Sequence, residues 1–553
     1  MSPAMTSSLP APTRGDEGSR ARGIDAPLIV ALVGSALAAI VTLVATAKGP
    51  GLNADSVNYF SAGLNLSNGN GLRTFNGTAL TMFPPGVSAL VAGGDRLGLS
   101  PDSTLRIVNA VSFAVSVWFG YVLLRRHLRR PSLVMAATAF VALNVTLLAR
   151  AEMALSECAF IPVSLGFILL VERAALPDDA GSRRVLWGSI LGAAMAVWAG
   201  FALRYAAIAM IPAGGLALLV PFRRIGAKAV IGRAAAFGVL ASIGPALVML
   251  RNHGINGSLM GPRSESPDGL VTTVQRFVAT LGRWVVPDPA PVGLQGVAGA
   301  ALVAGFGALI AWAVWDPTRR ASVFPPAVEG EVAPDSLSPL TCFVGVYAAY
   351  LVAAQITTAF DPIGTRLMSP MFVPLVVLCT ALLERSWGLI GSARRPRLAF
   401  AAIGALVVLF VGHAVVFVVE ARDANVEGVE YASRSWRDSE FVAAVGRVPA
   451  DADLYSNVPA GVWAVHRREP LWKSPEKSLR RARQAVEMDP AFLRTVTCRP
   501  VYLAWSDEAV GDYLFTPEEL RDHVELEEVE AVDDGAIYRV RPLTDGTAQS
   551  AGC

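Results

Sequence analysis

The chain has 553 residues, 53% of them hydrophobic and 17% charged, with a mean hydropathy of +0.47. That balance is too apolar for an ordinary water-soluble globule and calls for repeated membrane-spanning segments. The net charge of +2 is spread without a basic tail or stripe, so the electrostatic footprint of a nucleic-acid-binding protein is missing.

Residues 1–26 are rich in Ser, Pro, Gly and charge and read as a disordered leader. The first apolar run, 27–47, is long for a signal-peptide core and is kept as a retained helix. Windows of about 20 apolar residues place further spans near 105–124, 131–149, 158–172, 186–203, 206–221, 231–250, 292–315, 338–358, 367–384 and 398–419. The expectation is a polytopic α-helical membrane protein of about 11 transmembrane helices. Lys and Arg concentrate in alternate short connections, as at Arg125, Arg126, Arg129 and Arg130 and at Arg394, Arg395 and Arg397. The positive-inside rule makes those connections cytoplasmic, together with the N-terminus of a multi-pass plasma-membrane protein. The other connections, and everything after the last span, then face outward.

The first outward loop, 48–104, is the most informative stretch. Asp55 lies just beyond the first span, and Asp55, Tyr59 and Gly63 share one face of a helix by i, i+4 spacing. Tyr59 and Phe60 are expected at headgroup level. Asp55 suits a general base in a partly desolvated cleft, while the plainer reading makes Asn53 or Asp55 a helix N-cap; both stay open here. Pro84 and Pro85 read as a rigid turn before a second interfacial helix, Gly86–Gly93.

Glu157 heads directly into a span, where an unpaired carboxylate is costly. It is a candidate second acidic group that orients an acceptor, or else a structural partner of Arg150. Arg204 stands between two apolar runs, either snorkelling to the interface or meeting a lipid-linked phosphate. Arg251 is expected to cap the helix before it, whereas Arg263, in a Gly-rich outer loop, suits phosphate or sugar recognition. Arg366 follows Asp361 by five residues, and the plainer reading pairs the two across a turn; Arg366 also opens a helix, where the macrodipole favours an anion, and a bound phosphate would remove that conflict.

Beyond residue 420 the composition becomes polar. Residues 421–542 read as a small extracytoplasmic α/β domain with strands near 453–457, 501–504 and 536–540, and 543–553 as a disordered tail. The membrane part is expected to keep its site without this domain. The five cysteines form no CxxC or Cys/His cluster. Cys158, Cys342 and Cys379 fall in apolar runs, and Cys498 and Cys553 are expected to stay unpaired.

Together the early outer-loop Asp with trailing Tyr and Gly69-Asn70-Gly71, Pro84-Pro85, Leu155-Ser156-Glu157, Arg251-Asn252 followed by Arg263, and Asp361 with Arg366 and Pro370 resemble the membrane GT-C glycosyltransferases. The branch is that of the protein O-mannosyltransferases, the lipid A aminoarabinose transferases and the RgtA/B/C/D-like proteins. The resemblance covers roughly residues 27–420 and implies a GT-C-like fold with Asp55 in the place of the catalytic Asp. It further implies a polyprenyl-phosphate-linked sugar donor, a glycan or lipid acceptor and an embedding in membrane lipid. Arg204, Arg263 and Arg366 become donor-phosphate candidates, and Tyr59, Pro84 and Pro85 shape the loop. Asp55-Ser56 stands where the O-mannosyltransferases have an Asp-Glu pair, which puts a protein acceptor in doubt. No cofactor is required, although the mechanism leaves room for a divalent cation, with no metal ligand assigned. The competing classes are a lipid-linked saccharide transporter or flippase, an outer-leaflet polysaccharide polymerase, and a membrane-anchored binding protein.

Overall fold

The computed structural model describes residues 25–176, 183–221, 225–315, 337–390, 396–469, 471–477, 488–508 and 513–543. Residues 1–24 of the leader and 544–553 of the tail lie outside these. The membrane part runs α1 (Ala26–Ala45), α2 (Ala54–Ser67), α3 (Gly86–Arg96), α4 (Pro101–His127), α5 (Pro131–Ala142), α6 (Val145–Ala151), α7 (Glu157–Ala174) and α8 (Arg183–Leu203). A 3-10 turn, Tyr205–Ala209, leads into α9 (Met210–Leu219). There follow α10 (Ala227–Asn256), α11 (Leu270–Val285), α12 (Val292–Trp315), α13 (Ser338–Thr357), α14 (Thr365–Ile390) and α15 (Pro396–Glu427).

Each expected span falls on a helix, but the number of crossings is smaller than eleven by length and composition. Seven helices among the described residues are long and apolar enough, or eight if the bent pair α5–α6, broken by 41°, is one span. The physical reasons are local. Helix α7 has only 18 residues and carries Glu157, Glu172 and Arg173, while the segment Tyr205–Leu219 is too short. The spans present their apolar side chains outward, as at Val33, Ile40, Val239 and Leu247, which is the surface a bilayer requires. Inside the bundle, Phe160, Phe201, Phe237, Tyr347 and Phe372 form one continuous core.

The C-terminal part carries α16 (Arg434–Arg437), α17 (Glu440–Val445) and α18 (Pro459–His466) beside a five-stranded sheet. Its strands are β1 (Asp453–Ser456), β2 (Leu471–Lys473), β3 (Val501–Ser506), β4 (Val524–Val532) and β5 (Gly535–Pro542), in the order β2-β1-β3-β5-β4. The β1 pairings with β2 and β3 are parallel, and those of β5 with β3 and β4 are antiparallel. Three strands match the expected ones. The edge strand β4 was hidden by its Glu content, since Glu525, Glu527, Glu528 and Glu530 mark a charged edge that resists further pairing.

This sheet does not stand apart from the membrane part. Leu52, Val57, Tyr59, Phe60, Phe75 and Val87 share one hydrophobic core with Trp436, Phe441, Trp463 and Ile537. Arg467 stacks over Trp463 at 4.3 Å and lies 5.7 Å from the Phe60 ring centre. It also pairs with Asp102 at the start of α4, at 3.5 Å. Tyr59 and Phe60 are therefore buried beneath the C-terminal part, and not at headgroup level as their aromatic character suggested. For the same reason the membrane part is not independent of residues beyond 421: removing them would strip the cover from α2.

The expectation for Cys498 is also overturned. Cys498 is disulfide-bonded, while Cys158, Cys342 and Cys379 are free thiols.

Candidate active site

Helix α2 begins at Asn53, whose side chain accepts from Ser56 N at 3.1 Å while Ser56 Oγ accepts from Asn53 N at 3.3 Å. This capping box satisfies the helix start, so Asp55 is not the cap. Its carboxylate is left free for another partner, beside a helix N-terminus that favours negative charge.

Immediately before the cap, three chain segments meet. Gly51 N donates to Glu152 O at 2.7 Å, Ala154 N donates to Gly51 O at 2.9 Å, and Tyr431 N donates to Leu52 O at 3.0 Å. Asn109 Nδ2 of α4 donates to Ala151 O and Met153 O from the buried side. Asp55 and Glu157 each follow this small ladder by three residues, so it sets the two acids side by side. The ladder needs a glycine at its centre, because a Cβ on Gly51 would come within 2.5 Å of Met153 Sδ and 2.8 Å of Val429 Cγ1. Gly51→Val is expected to lower stability by about 1–3 kcal/mol through overpacking. Thermal unfolding in nanodiscs checks this, and an unchanged transition would deny the ladder its role.

The carboxylates converge on one guanidinium. Arg366 Nη2 donates to Asp55 Oδ2 at 2.5 Å, Nε to Glu157 Oε1 at 2.6 Å and Nη1 to Asp361 Oδ2 at 2.6 Å. Arg204 pairs with the same Glu157 oxygen and donates to Ser156 Oγ at 3.1 Å. Glu157 is completely buried, whereas the Asp361 side chain is 63% exposed. Two arginines thus share one inaccessible carboxylate, and Asp55 reaches the edge of the cluster from α2. Arg204 does not snorkel but turns inward between α8 and the 3-10 turn. Glu157 pairs with Arg204 and Arg366, not with Arg150.

Tyr59 packs edge-on against Phe83 at 5.3 Å. Gly63 allows α2 to touch α3, since a Cβ there would sit 2.6 Å from Val91 Cβ. Pro85 takes the N-cap position of α3, directly after Pro84, as expected of a turn. Gly86 then lies against the backbone of Ala202 at the end of α8.

Arg263 is placed differently. Its Nη2 donates to Met82 O at 3.1 Å, in a cradle where Arg251 Nη1 donates to Leu80 O, Tyr205 Oη to Thr81 O and Asn256 Nδ2 to Thr81 Oγ1. Arg251 therefore holds the first outer loop and does not cap its own helix, which continues to Asn256. Among the described residues Arg263 makes no ion pair with Asp55 or Glu157. Tyr350 lines an open apolar groove of about 500 Å³ with Ile208, Ile211, Pro212, Val346 and Ala353. Among the described residues no group of three or more His, Cys, Asp or Glu side chains could hold a metal ion.

No family model matches this chain, and no curated protein matches it either. Solved structures do. ArnT from Cupriavidus metallidurans bound to undecaprenyl phosphate superposes with a TM-score of 0.59 at 15% identity, covering 92% of this chain and 97% of that one. The same protein in the apo state gives 0.57 at 14% identity, with the same coverage. The fold is that of the membrane GT-C glycosyltransferases. A mycobacterial arabinofuranosyltransferase, AftD, is also similar at 15% identity over 93% of this chain, but its TM-score of 0.47 adds no weight. In this chain the first outer loop, the Glu157 turn and the Arg366 turn come together at one end of the bundle, under the C-terminal sheet. Sequence reasoning missed Gly51 as a contributor and gave Ser156 no role beyond its place in the Leu155-Ser156-Glu157 run: Gly51 acts through the space it leaves, and Ser156 through the Arg204 that tertiary packing brings.

Proposed function

We propose that this protein is a glycosyltransferase that moves a sugar from a polyprenyl-phosphate donor to a cell-envelope glycan or lipid acceptor at the outer face of the membrane. The observation that carries the reading is a base candidate, Asp55, gathered with a buried carboxylate and two arginines. Arg204 of that cluster holds the N-cap position of the 3-10 turn whose Ile208 and Ala209 line the apolar groove. A lipid-linked donor needs both chemistries, cations for its phosphate and apolar surface for its chain.

In this reading Asp55 takes the proton of an acceptor hydroxyl as its oxygen attacks the anomeric carbon. The bond from that carbon to the phosphate oxygen breaks on the opposite face, and the prenyl phosphate leaves with the electron pair. Configuration is inverted. Arg204 and Arg366 stabilise the charge developing on the phosphate, and Glu157 keeps both guanidinium groups in place. Arg263, through Met82, supports the loop that follows Asp55. No step is routed through a metal. The disulfide at Cys498 supports an oxidising, extracytoplasmic location for the C-terminal part, and with it a cytoplasmic N-terminus.

Purified protein in nanodiscs, given labelled polyprenyl-phosphate sugars and an envelope extract, should release prenyl phosphate only when acceptor is present. A deletion strain should lose one sugar from its envelope glycans by mass spectrometry. An unchanged glycan profile would remove the reading.

Asp55 lies on α2, outside the spans. Burial raises its pKa above the usual carboxylate value, with Arg366 pulling the other way. Because the base must be ionised, activity should rise with pH through this raised pKa and fall as the pH drops below it. The acid limb of kcat/KM is the measurement, and a limb at or below the ordinary Asp value would contradict the assignment.

A further inference from the structure

Arg150, in the last turn of α6, has unusual surroundings for a cation. Its Nε is sealed from solvent with no hydrogen-bond partner, and no acidic group among the described residues comes within ion-pairing distance of its guanidinium. Helix α6 starts afresh after the 41° bend from α5, with Asn144 as its cap. Its last turn is tied through Ala151 O to Asn109, so Arg150 is held by the same anchor that sets the acid-bearing ladder. The charges that act on Arg150 are Glu157, Arg366, Glu152 and Arg204. It therefore belongs to the Asp55 cluster although it bonds to none of its members.

Three further polar atoms nearby, Glu152 Oε1, Glu157 Oε2 and Arg204 Nε, are buried without hydrogen-bond partners. Glu152 and Glu157 are both buried, while Asp361 faces water and Asp55 is only partly enclosed. A desolvated guanidinium without hydrogen-bond partners is costly. An anion with several acceptor oxygens would satisfy it. The residue as a whole is not sealed, which leaves a side from which such an anion can approach.

We infer that Arg150 is a phosphate-binding arginine of this site, engaging the phosphate of the prenyl-linked donor together with Arg204 and Arg366. The inference rests on the donor class proposed above. It gives Arg150 the role that the sequence offered to Arg263, whose guanidinium is committed to the loop carbonyl of Met82.

The test uses the full chain in nanodiscs, with undecaprenyl phosphate as the probe. Wild type, Arg150→Gln and Arg150→Lys are compared by thermal unfolding without ligand and by titration with the probe. Arg150→Gln should unfold at the same temperature as wild type or higher, because an unpaired buried charge has been removed. Its affinity for the probe should fall about 10- to 100-fold, the value of a charge-assisted hydrogen bond or two. Arg150→Lys should bind between the two. Equal affinity in wild type and Arg150→Gln would overturn the role of Arg150 while leaving the donor reading standing. A lowered unfolding temperature in both variants with affinity retained would make Arg150 a structural strut and overturn it as well. Wild type that fails to bind the probe would remove the donor class, and this inference with it.

Discussion

Asp55→Asn is expected to leave the protein folded in the membrane and to reduce transfer by about 10²- to 10⁴-fold, the range that a positioned general base contributes. The substitution keeps the shape of the side chain and the start of α2, since the cap is made by Asn53 and Ser56. Arg366 retains Glu157 and Asp361 as partners, so the guanidinium should hold its place. Thermal unfolding close to wild type, together with a near-complete loss of turnover on labelled lipid donor, is the expected pair of results. Turnover within a few-fold of wild type would mean that another group takes the proton.

The second large effect belongs to Glu157. It is fully buried and neutralises Arg204 and Arg366 through a single oxygen. Replacing it with Gln leaves two guanidinium groups in a poorly solvated pocket without their shared anion. Breaking one side of a buried ion pair costs about 3–5 kcal/mol. Glu157→Gln should therefore lower the unfolding temperature markedly, unlike Asp55→Asn, and Glu157→Asp should fall between. If Glu157→Gln unfolds like wild type while losing activity, Glu157 acts on the acceptor directly and is not the anchor of the arginines. The contrast between the two acids is physical: one sits at the rim of the cluster on a short capped helix, the other under it.

Much of this molecule is legible without coordinates, because the relevant signals are local. Apolar runs of about 20 residues mark the helical segments wherever lipid or core must cover every face, and the Asp55, Tyr59, Gly63 spacing marks one helix face. Strands β1, β3 and β5 show through their apolar, β-branched and aromatic runs. Other features depend on who the neighbours are. Fewer than eleven of the described helices qualify as crossings by length and composition, because α7 and Tyr205–Leu219 are helical yet too short or too charged to qualify by themselves. Arg251 and Arg263 looked alike as loop cations, yet both hold backbone carbonyls of residues 80–82. The partner of Glu157 could not be chosen among arginines, since nothing local distinguishes a nearby Arg150 from Arg366, 209 residues away.

What the sequence by itself determined is therefore the class of the molecule, its helical segments and the helix that carries Asp55, all set by hydrophobic periodicity and by capping within a few residues. What only the tertiary structure decided is the chemistry of the cluster. It joined Asp55 to Arg366 across 311 residues, closed α2 beneath the C-terminal sheet and left Arg150 beside the acids without a bond. The reason is that ion pairing and burial depend on distance in space, and no local pattern records which distant charge will share a low-dielectric pocket.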